Sequence, residues 1–473
     1  MGERLSVLDT MFLDLEQRDD GAHMHIGAAL VFDPRGGGGT GRAPDISAVR
    51  DHVRARLGAL PRYAQRLSGP HAGPLTWLTW EPVAGFDSDA HVHHATLPAP
   101  GDDAELRAWL ADFWSHRLDR RAPLWEMTLV DGLEGGRWAL ATKTHHCLVD
   151  GVGSWDIGYA LLDRVPDAPP RAADPAPPAV EAAGRGGELW LSPGVVARGA
   201  RAGLGAMRHP GEVLDRARAA LDLLVREEIV AAPQSTLNGA TSATRLFEAV
   251  RFALDDVKAI KRERGGTVND VVLALCAGGL RHLLRSRGDA LPERGLRAQI
   301  PVNIRAGERE HALGNQLTSL FVELPVAEPD PLVRYDTIVE RAEAFKAGSQ
   351  GTGGKAIVDV ADAAPPLVGE LVARPMFGGA RVFNLTITNV PGPQERLYAL
   401  GAPMVEILPL VPLFAGHAIG IAVVSYAGQM VFGLNADRLL APDVAALAEG
   451  IERSFAELRT PARPPAAGRA SGR

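Results

Sequence analysis

Residues 165–187 read VPDAPPRAADPAPPAVEAAGRGG, and no other stretch limits the fold as strongly. Proline fixes φ and lacks an N–H, so a run this dense in proline can continue neither a helix nor the interior of a sheet. The segment is expected to be an extended linker. It splits a chain whose 473 residues already exceed one ordinary domain. The expected organisation is a first domain at 1–164, the linker at 165–187, a helical connector at 188–240 and a second domain at 241–460. A tail at 461–473, made of Pro, Ala, Gly, Ser and Arg, reads as disordered. In the connector, Leu214, Ala217, Leu221 and Leu224 form an apolar stripe among charged neighbours. Such a helix packs on a core or lies on a lipid surface.

Hydrophobic residues make up 46% of the chain and charged residues 23%, the balance of a soluble protein with a sizeable core. A formal net charge of −7 argues against a nucleic-acid partner held through its phosphates. Two cysteines, Cys147 and Cys276, cannot supply a disulfide framework, so a reducing interior is the simplest home. The N-terminus shows no apolar run after a basic start, and no stretch is long and apolar enough to cross a bilayer. The expected location is cytoplasmic, with any membrane contact peripheral.

Both halves mix the two kinds of periodicity. In the first, strands are expected at 28–32, 75–80, 121–130 and 138–146, and helices at 46–60, 102–118 and 152–162. Pro123 opens one of these strands, and a turn at 133–136 joins it to the next as a hairpin. Residues 5–16 read as a short apolar-rich opening segment, and His23 and His25 as an ordinary polar strand face. In the second half, strands are expected at 243–252, 297–305, 317–325 and 383–389, with a hairpin over 418–434. Helices are expected at 255–264, from Thr267 onward, at 330–345 and at 444–458. Thr267 and Asp270 have the spacing of a capping box, and capping would by itself account for Asn269. The glycine-rich stretches at 36–39 and 351–355 fit neither a dinucleotide fingerprint nor a phosphate loop. The fold class is therefore α+β, with two domains built on mostly mixed sheets.

The strand at 138–146 carries the chemistry. Its side chains alternate, so His145 and His146 leave a regular strand on opposite faces. The strand breaks at Asp150-Gly151, where glycine allows a sharp reversal. An imidazole on a rigid strand end, with a turn opening space before it, suits a general base. A hydrogen-bonded structural histidine beside a plain turn would read the same way. Metal binding by His146 and Asp150 is a further reading, although no zinc spacing is present and Cys147 has no partner Cys nearby.

HHCLVDG at 145–151 matches the HHxxxDG signature of the chloramphenicol-acetyltransferase-like acyltransferases. More narrowly, the chain resembles the bacterial wax ester synthase/diacylglycerol acyltransferase family. LSVLDTMF at 5–12 resembles that family's N-terminal segment; PLW at 123–125, ND at 269–270 and NVPGP at 389–393 match its motifs, in the family's order. The resemblance implies two chloramphenicol-acetyltransferase-like domains with an active-site tunnel at their interface. It implies transfer of a fatty acyl group from acyl-CoA, a substrate and not a cofactor, to a long-chain alcohol or diacylglycerol. By position it makes His146 the general base, beside His145 and Gly151 of the same motif. Asp150 would form a structural ion pair with an arginine, for which Arg305 is the expected partner. Pro123, Leu124, Trp125, Asn269, Asp270 and Asn389 would shape the substrate site. No metal is implied, and the absence of a G-x-S-x-G elbow argues against an acyl-enzyme. Three alternatives stay open: a condensation-type enzyme fed by a carrier protein, a non-catalytic relative that binds acyl chains, and a metal-dependent hydrolase. A peripheral membrane or lipid-inclusion surface is the expected setting. The motifs do not rank wax ester against triacylglycerol as product.

Overall fold

The computed structural model describes residues 3, 5–36, 41–58, 60–68, 78–148, 158, 160–168, 231–303, 317–348 and 382–459. Asp150, Gly151, Arg305 and the expected helix at 214–224 lie outside these residues, as does most of the expected helix at 152–162.

The first part runs through helix α1 (Val7–Arg18), strand β1 (His25–Phe32), helix α2 (Ile46–Leu57) and the short strands β2 (Gln65–Leu67) and β3 (Trp80–Pro82). Strand β4 (Val92–Thr96), helix α3 (Asp103–Ser115) and strands β5 (Trp125–Asp131) and β6 (Trp138–His145) follow. The second part opens with β7 (Arg245–Ala253), α4 (Leu254–Arg264), α5 (Val268–Arg287), β8 (Leu296–Asn303), β9 (Leu317–Leu324) and α6 (Pro331–Gly348). It closes with β10 (Leu385–Pro391), β11 (Tyr398–Ala399), β12 (Ala402–Leu410), β13 (Ile419–Tyr426), β14 (Gln429–Asp437) and α7 (Val444–Arg459).

These strands make two six-stranded sheets, ordered β11-β12-β1-β6-β5-β4 and β7-β14-β13-β10-β8-β9. Each is mixed: β4 runs parallel to β5, and β10 runs parallel to β13 and β8, while the other pairings are antiparallel. The division at the linker is crossed within the first sheet. Residues 398–410, which fall in the second half by sequence, complete the first sheet, with β12 antiparallel to β1.

Local chemistry sets the boundaries. Asp102 caps α3 by accepting from the N–H groups of Ala104 and Glu105, and the Glu105 carboxylate returns a bond to Asp102 N–H. Ser6 and Asp9 make the same reciprocal cap on α1. Helix α2 stops at Leu57, short of the expected 60, because Pro61 pushes the preceding residue out of the helical region. Strand β5 begins at Trp125, since Pro123 has no N–H to give to a strand bonded on both sides. Of the expected strand at 75–80, residues 75–77 lie outside the described residues; β3 runs from Trp80 and, among the described residues, pairs with β2.

One large core joins the first sheet to Phe247, Val424, Tyr426 and Val431 of the second, and another fills the space between the second sheet and α4, α5, α6 and α7. Between the parts, α3 lies along β7 with charged pairs on the contact: Arg107 with Glu248 at 2.9 Å, and Arg251 with Asp103 at 3.0 Å and with Glu406 of β12. Arg245 is buried; its guanidinium lies 3.6 Å from the fully buried Asp437 and bonds the carbonyl of Gly21. The sheets approach closely where β12 meets β14. A Cβ built on Gly433 would stand 2.0 Å from the carbonyl oxygen of Pro409. Gly433→Ala is therefore expected to lower unfolding free energy by about 1–3 kcal/mol, measured by urea denaturation against the parent chain.

Candidate active site

The register of β1 on β6 places His25 directly opposite His145. Directly opposed residues project from the same face of a sheet, so both imidazoles point the same way. Helix α1 covers that face. Asp9, Phe12, Leu13 and Glu16 are buried, at the spacing of one helical face. Glu16 thus arrives between the two rings, with Oε1 3.2 Å from His25 Nε2 and Oε2 3.4 Å from His145 Nε2. Arg120 adds a guanidinium 3.0 Å from Oε2. Burial alone would raise the Glu16 pKa, but the rings of His145 and His25 hold it well below the usual carboxylate range.

Backbone bonds from both sides fix the strand end. His145 N–H donates to Leu124 O at 2.9 Å, and His146 N–H donates to Met24 O at 2.8 Å. The chain then turns: Leu148 N–H donates to His145 O, and Cys147 N–H donates to His145 Nδ1 at 3.1 Å. The alternation expected of a regular strand ends at His145, and the turn brings His146 back to α1. Its ring stacks on Phe12 with centroids 4.3 Å apart and an interplanar angle of 23°. His145 and His146 consequently meet the same helix, at Glu16 and Phe12, one turn apart. Phe12 belongs to a small apolar cluster drawn from both parts of the chain, with Leu15, Ala22, Met24, Phe383 and Phe414. His146 is 9% exposed.

The remaining motif residues fall into two groups. Leu124 and Trp125 are almost wholly buried in the first core, and the Trp125 indole donates to Tyr63 O at 2.7 Å and stacks on His91. Together with Pro123, also buried, they support the histidine strand. Asp270 is buried too, and its Oδ2 accepts from the N–H and hydroxyl of Thr267 in the capping box. That makes it part of the cap of α5. Asn269 is left out of the cap; its Oδ1 accepts from Asn389 Nδ2 at 3.4 Å, which joins the ND and NVPGP motifs. Among the described residues, no group of three or more His, Cys, Asp or Glu side chains is placed to hold a metal ion.

The family model for the wax ester synthase/diacylglycerol acyltransferase catalytic domain matches residues 5–272, and that for the family's C-terminal domain matches 313–459. This chain belongs to that family. The chain is similar to tgs1, a protein of Mycobacterium tuberculosis named as a probable diacylglycerol O-acyltransferase. They are 31% identical, with 96% of this chain and 95% of the relative covered. A second such protein of that organism, tgs2, is 34% identical, with 95% and 97% covered. Among solved structures, the wax ester synthase/diacylglycerol acyltransferase from Marinobacter aquaeolei superposes with a TM-score of 0.67 at 28% identity, covering 96% of this chain and 98% of that one. The first condensation domain of the CDA synthetase shares the fold, with a TM-score of 0.63 at 16% identity over 98% and 97% of the two chains. The two-domain architecture of the chloramphenicol-acetyltransferase type and the assignment as an acyltransferase both stand on these matches.

For an acyltransferase of this family, the buried triad of Glu16, His25 and His145 is the feature that sequence reasoning missed. The signal was present: Glu16 follows Phe12 by four residues and Leu13 by three, an acid on an apolar helical stripe. Cys147 sits in the first core, and burial lifts its thiol pKa well above the ordinary value. A buried thiol of this kind stays protonated and is a poor nucleophile. Cys147→Ala is expected to keep full acyl transfer, and a modified Cys147 in a trapped acyl intermediate, seen by mass spectrometry, would overturn that.

The buried histidines also set the acid limit of stability. Burial depresses the pKa of His23 from 6.5 to about 3 and that of His25 from 6.5 to about 4. Below about pH 6.5 the unfolded chain binds these protons and the folded chain does not, so stability falls with falling pH until the folded values are reached. Each ring adds a slope of up to about 1.4 kcal/mol per pH unit in that window. Urea unfolding at pH 7 and pH 5 should show the loss, and His25→Gln should reduce the difference between the two pH values.

Proposed function

We propose that this enzyme transfers a fatty acyl group from acyl-CoA to the hydroxyl of a long-chain alcohol or diacylglycerol, with His146 as the general base. The observation that carries the reading is the placement of His146. It sits at the end of a rigid strand and is stacked on Phe12, within an apolar cluster drawn from both parts of the chain. An apolar surround suits long acyl chains and excludes the water that would otherwise hydrolyse the thioester. The neutral imidazole takes the proton of the acceptor hydroxyl as its oxygen attacks the thioester carbonyl. The tetrahedral oxyanion collapses, the C–S bond breaks, and CoA leaves as a thiolate that the same imidazolium can reprotonate. Asn269 is the proposed oxyanion donor: its Oδ1 already accepts from Asn389, so its Nδ2 is the donor end.

The names of tgs1, tgs2 and the Marinobacter enzyme support diacylglycerol and long-chain alcohol as acceptor classes. Among the described residues no helix is long and apolar enough to cross a membrane. We take the setting to be cytoplasmic, with peripheral contact at a membrane or lipid inclusion where such acceptors reside.

Thiol release from palmitoyl-CoA, with hexadecanol or dipalmitoylglycerol as acceptor, tests the reading. His146→Ala should lower turnover by about a hundred- to ten-thousandfold while circular dichroism and thermal unfolding stay unchanged. Near-parental turnover in a folded His146→Ala variant would remove the general-base assignment. A strong preference for acyl groups on a carrier protein would instead favour a condensation-type donor.

A further inference from the structure

Glu16 is only 2% exposed, yet its carboxylate contacts two imidazoles and a guanidinium. A charge in this position is costly unless every partner is in place, and here the partners come from separate elements: β1, β6 and the segment after α3. The proton positions on His145 follow from its contacts. Nδ1 accepts the Cys147 N–H, so the proton of the neutral ring resides on Nε2, the nitrogen that faces Glu16. A proton on Nδ1 would break the Cys147 bond and open the turn from which His146 projects. Phe12, one turn before Glu16 on the same helix, packs on the His146 ring itself.

We propose that Glu16 is a positioning residue for acyl transfer: by holding His145 as its Nε2–H tautomer, it fixes the turn that aims His146. The inference deepens the reading of His146 as the base and rests on it. Glu16 touches no substrate and gives up no proton. Its part resembles that of any carboxylate that orients a histidine next to the reacting atoms.

Glu16→Gln keeps the shape but replaces the carboxylate by one neutral acceptor, for which Arg120 competes, and one NH₂. The hold on the His145 Nε2–H is weakened whichever way the amide turns. The turnover number should fall about ten- to a hundredfold, with the KM for palmitoyl-CoA unchanged and the protein folded. Loss of substrate binding or of folding would not produce that split. Nitrogen-15 spectra of histidine-labelled protein supply a second readout, with the His145 signals assigned by their loss in His145→Gln. The parent should show a protonated Nε2 and a bare Nδ1 at His145, and Glu16→Gln should show a shift in that population. A parental His145 protonated on Nδ1, or Glu16→Gln with parental turnover, would overturn the proposal. If Glu16→Gln does not accumulate as folded protein, the parental tautomer decides. Turnover that survives His146→Ala removes the base assignment, whereas an inactive His146→Ala beside a fully active Glu16→Gln removes only the role given to Glu16.

Discussion

The antiparallel pairing of β1 with β6 is the constraint from which the site follows. A slip of one residue would send His25 and His145 to opposite faces, leaving Glu16 buried against at most one ring. What holds β1 in place is not local. Its other edge is paired to β12, a strand from the far end of the sequence, and β12 in turn touches β14 where Gly433 allows it. The two parts of the chain are therefore not two independent domains set side by side. The sheet that leads into His146 is complete only when the second part has contributed two of its strands.

The elements that the sequence revealed are those whose signals are local. The strand at 138–146, the cap at Thr267, the helix ending at Gly265 and the hairpin near Tyr426 all depend on neighbours within a few residues, and all are present. At the hairpin, Ala427 and Gly428 both take positive φ, as a two-residue turn between twisted strands requires. Partnership was not legible. The strand at 402–410 was not among those expected from periodicity, so neither the element nor its crossing into the first sheet was read from the sequence. Pairing is fixed by total burial over the whole chain, which no window reports.

The site was legible as a set of residues and less so as a set of roles. Motif matching picked out Leu124, Trp125 and Asp270, and burial and hydrogen bonding give each a framework part: a carbonyl under His145, an indole tied to Tyr63, a carboxylate capping α5. Glu16, His23 and His25 were passed over. They looked like an ordinary segment end and a polar strand face because one polar residue has no visible partner in a linear sequence. Only the crossing of α1 over β1 and β6 converts them into a buried charged cluster.

That division of labour bears on selectivity. Side chains locked into the framework are held by bonds that leave them little freedom to adapt to an acceptor. The group stacked on His146 is of another kind: Phe12 from α1, apolar and large, in a cluster that also takes in Phe383 and Phe414 from the second part. Changing the volume of Phe12 alters the space next to His146 without removing a side-chain hydrogen bond. The polar contacts of His145 and the apolar contact of His146 can therefore vary separately. The polar cluster and the apolar cluster share one helix, so α1 couples the two: its polar end meets His145, and its aromatic turn meets His146.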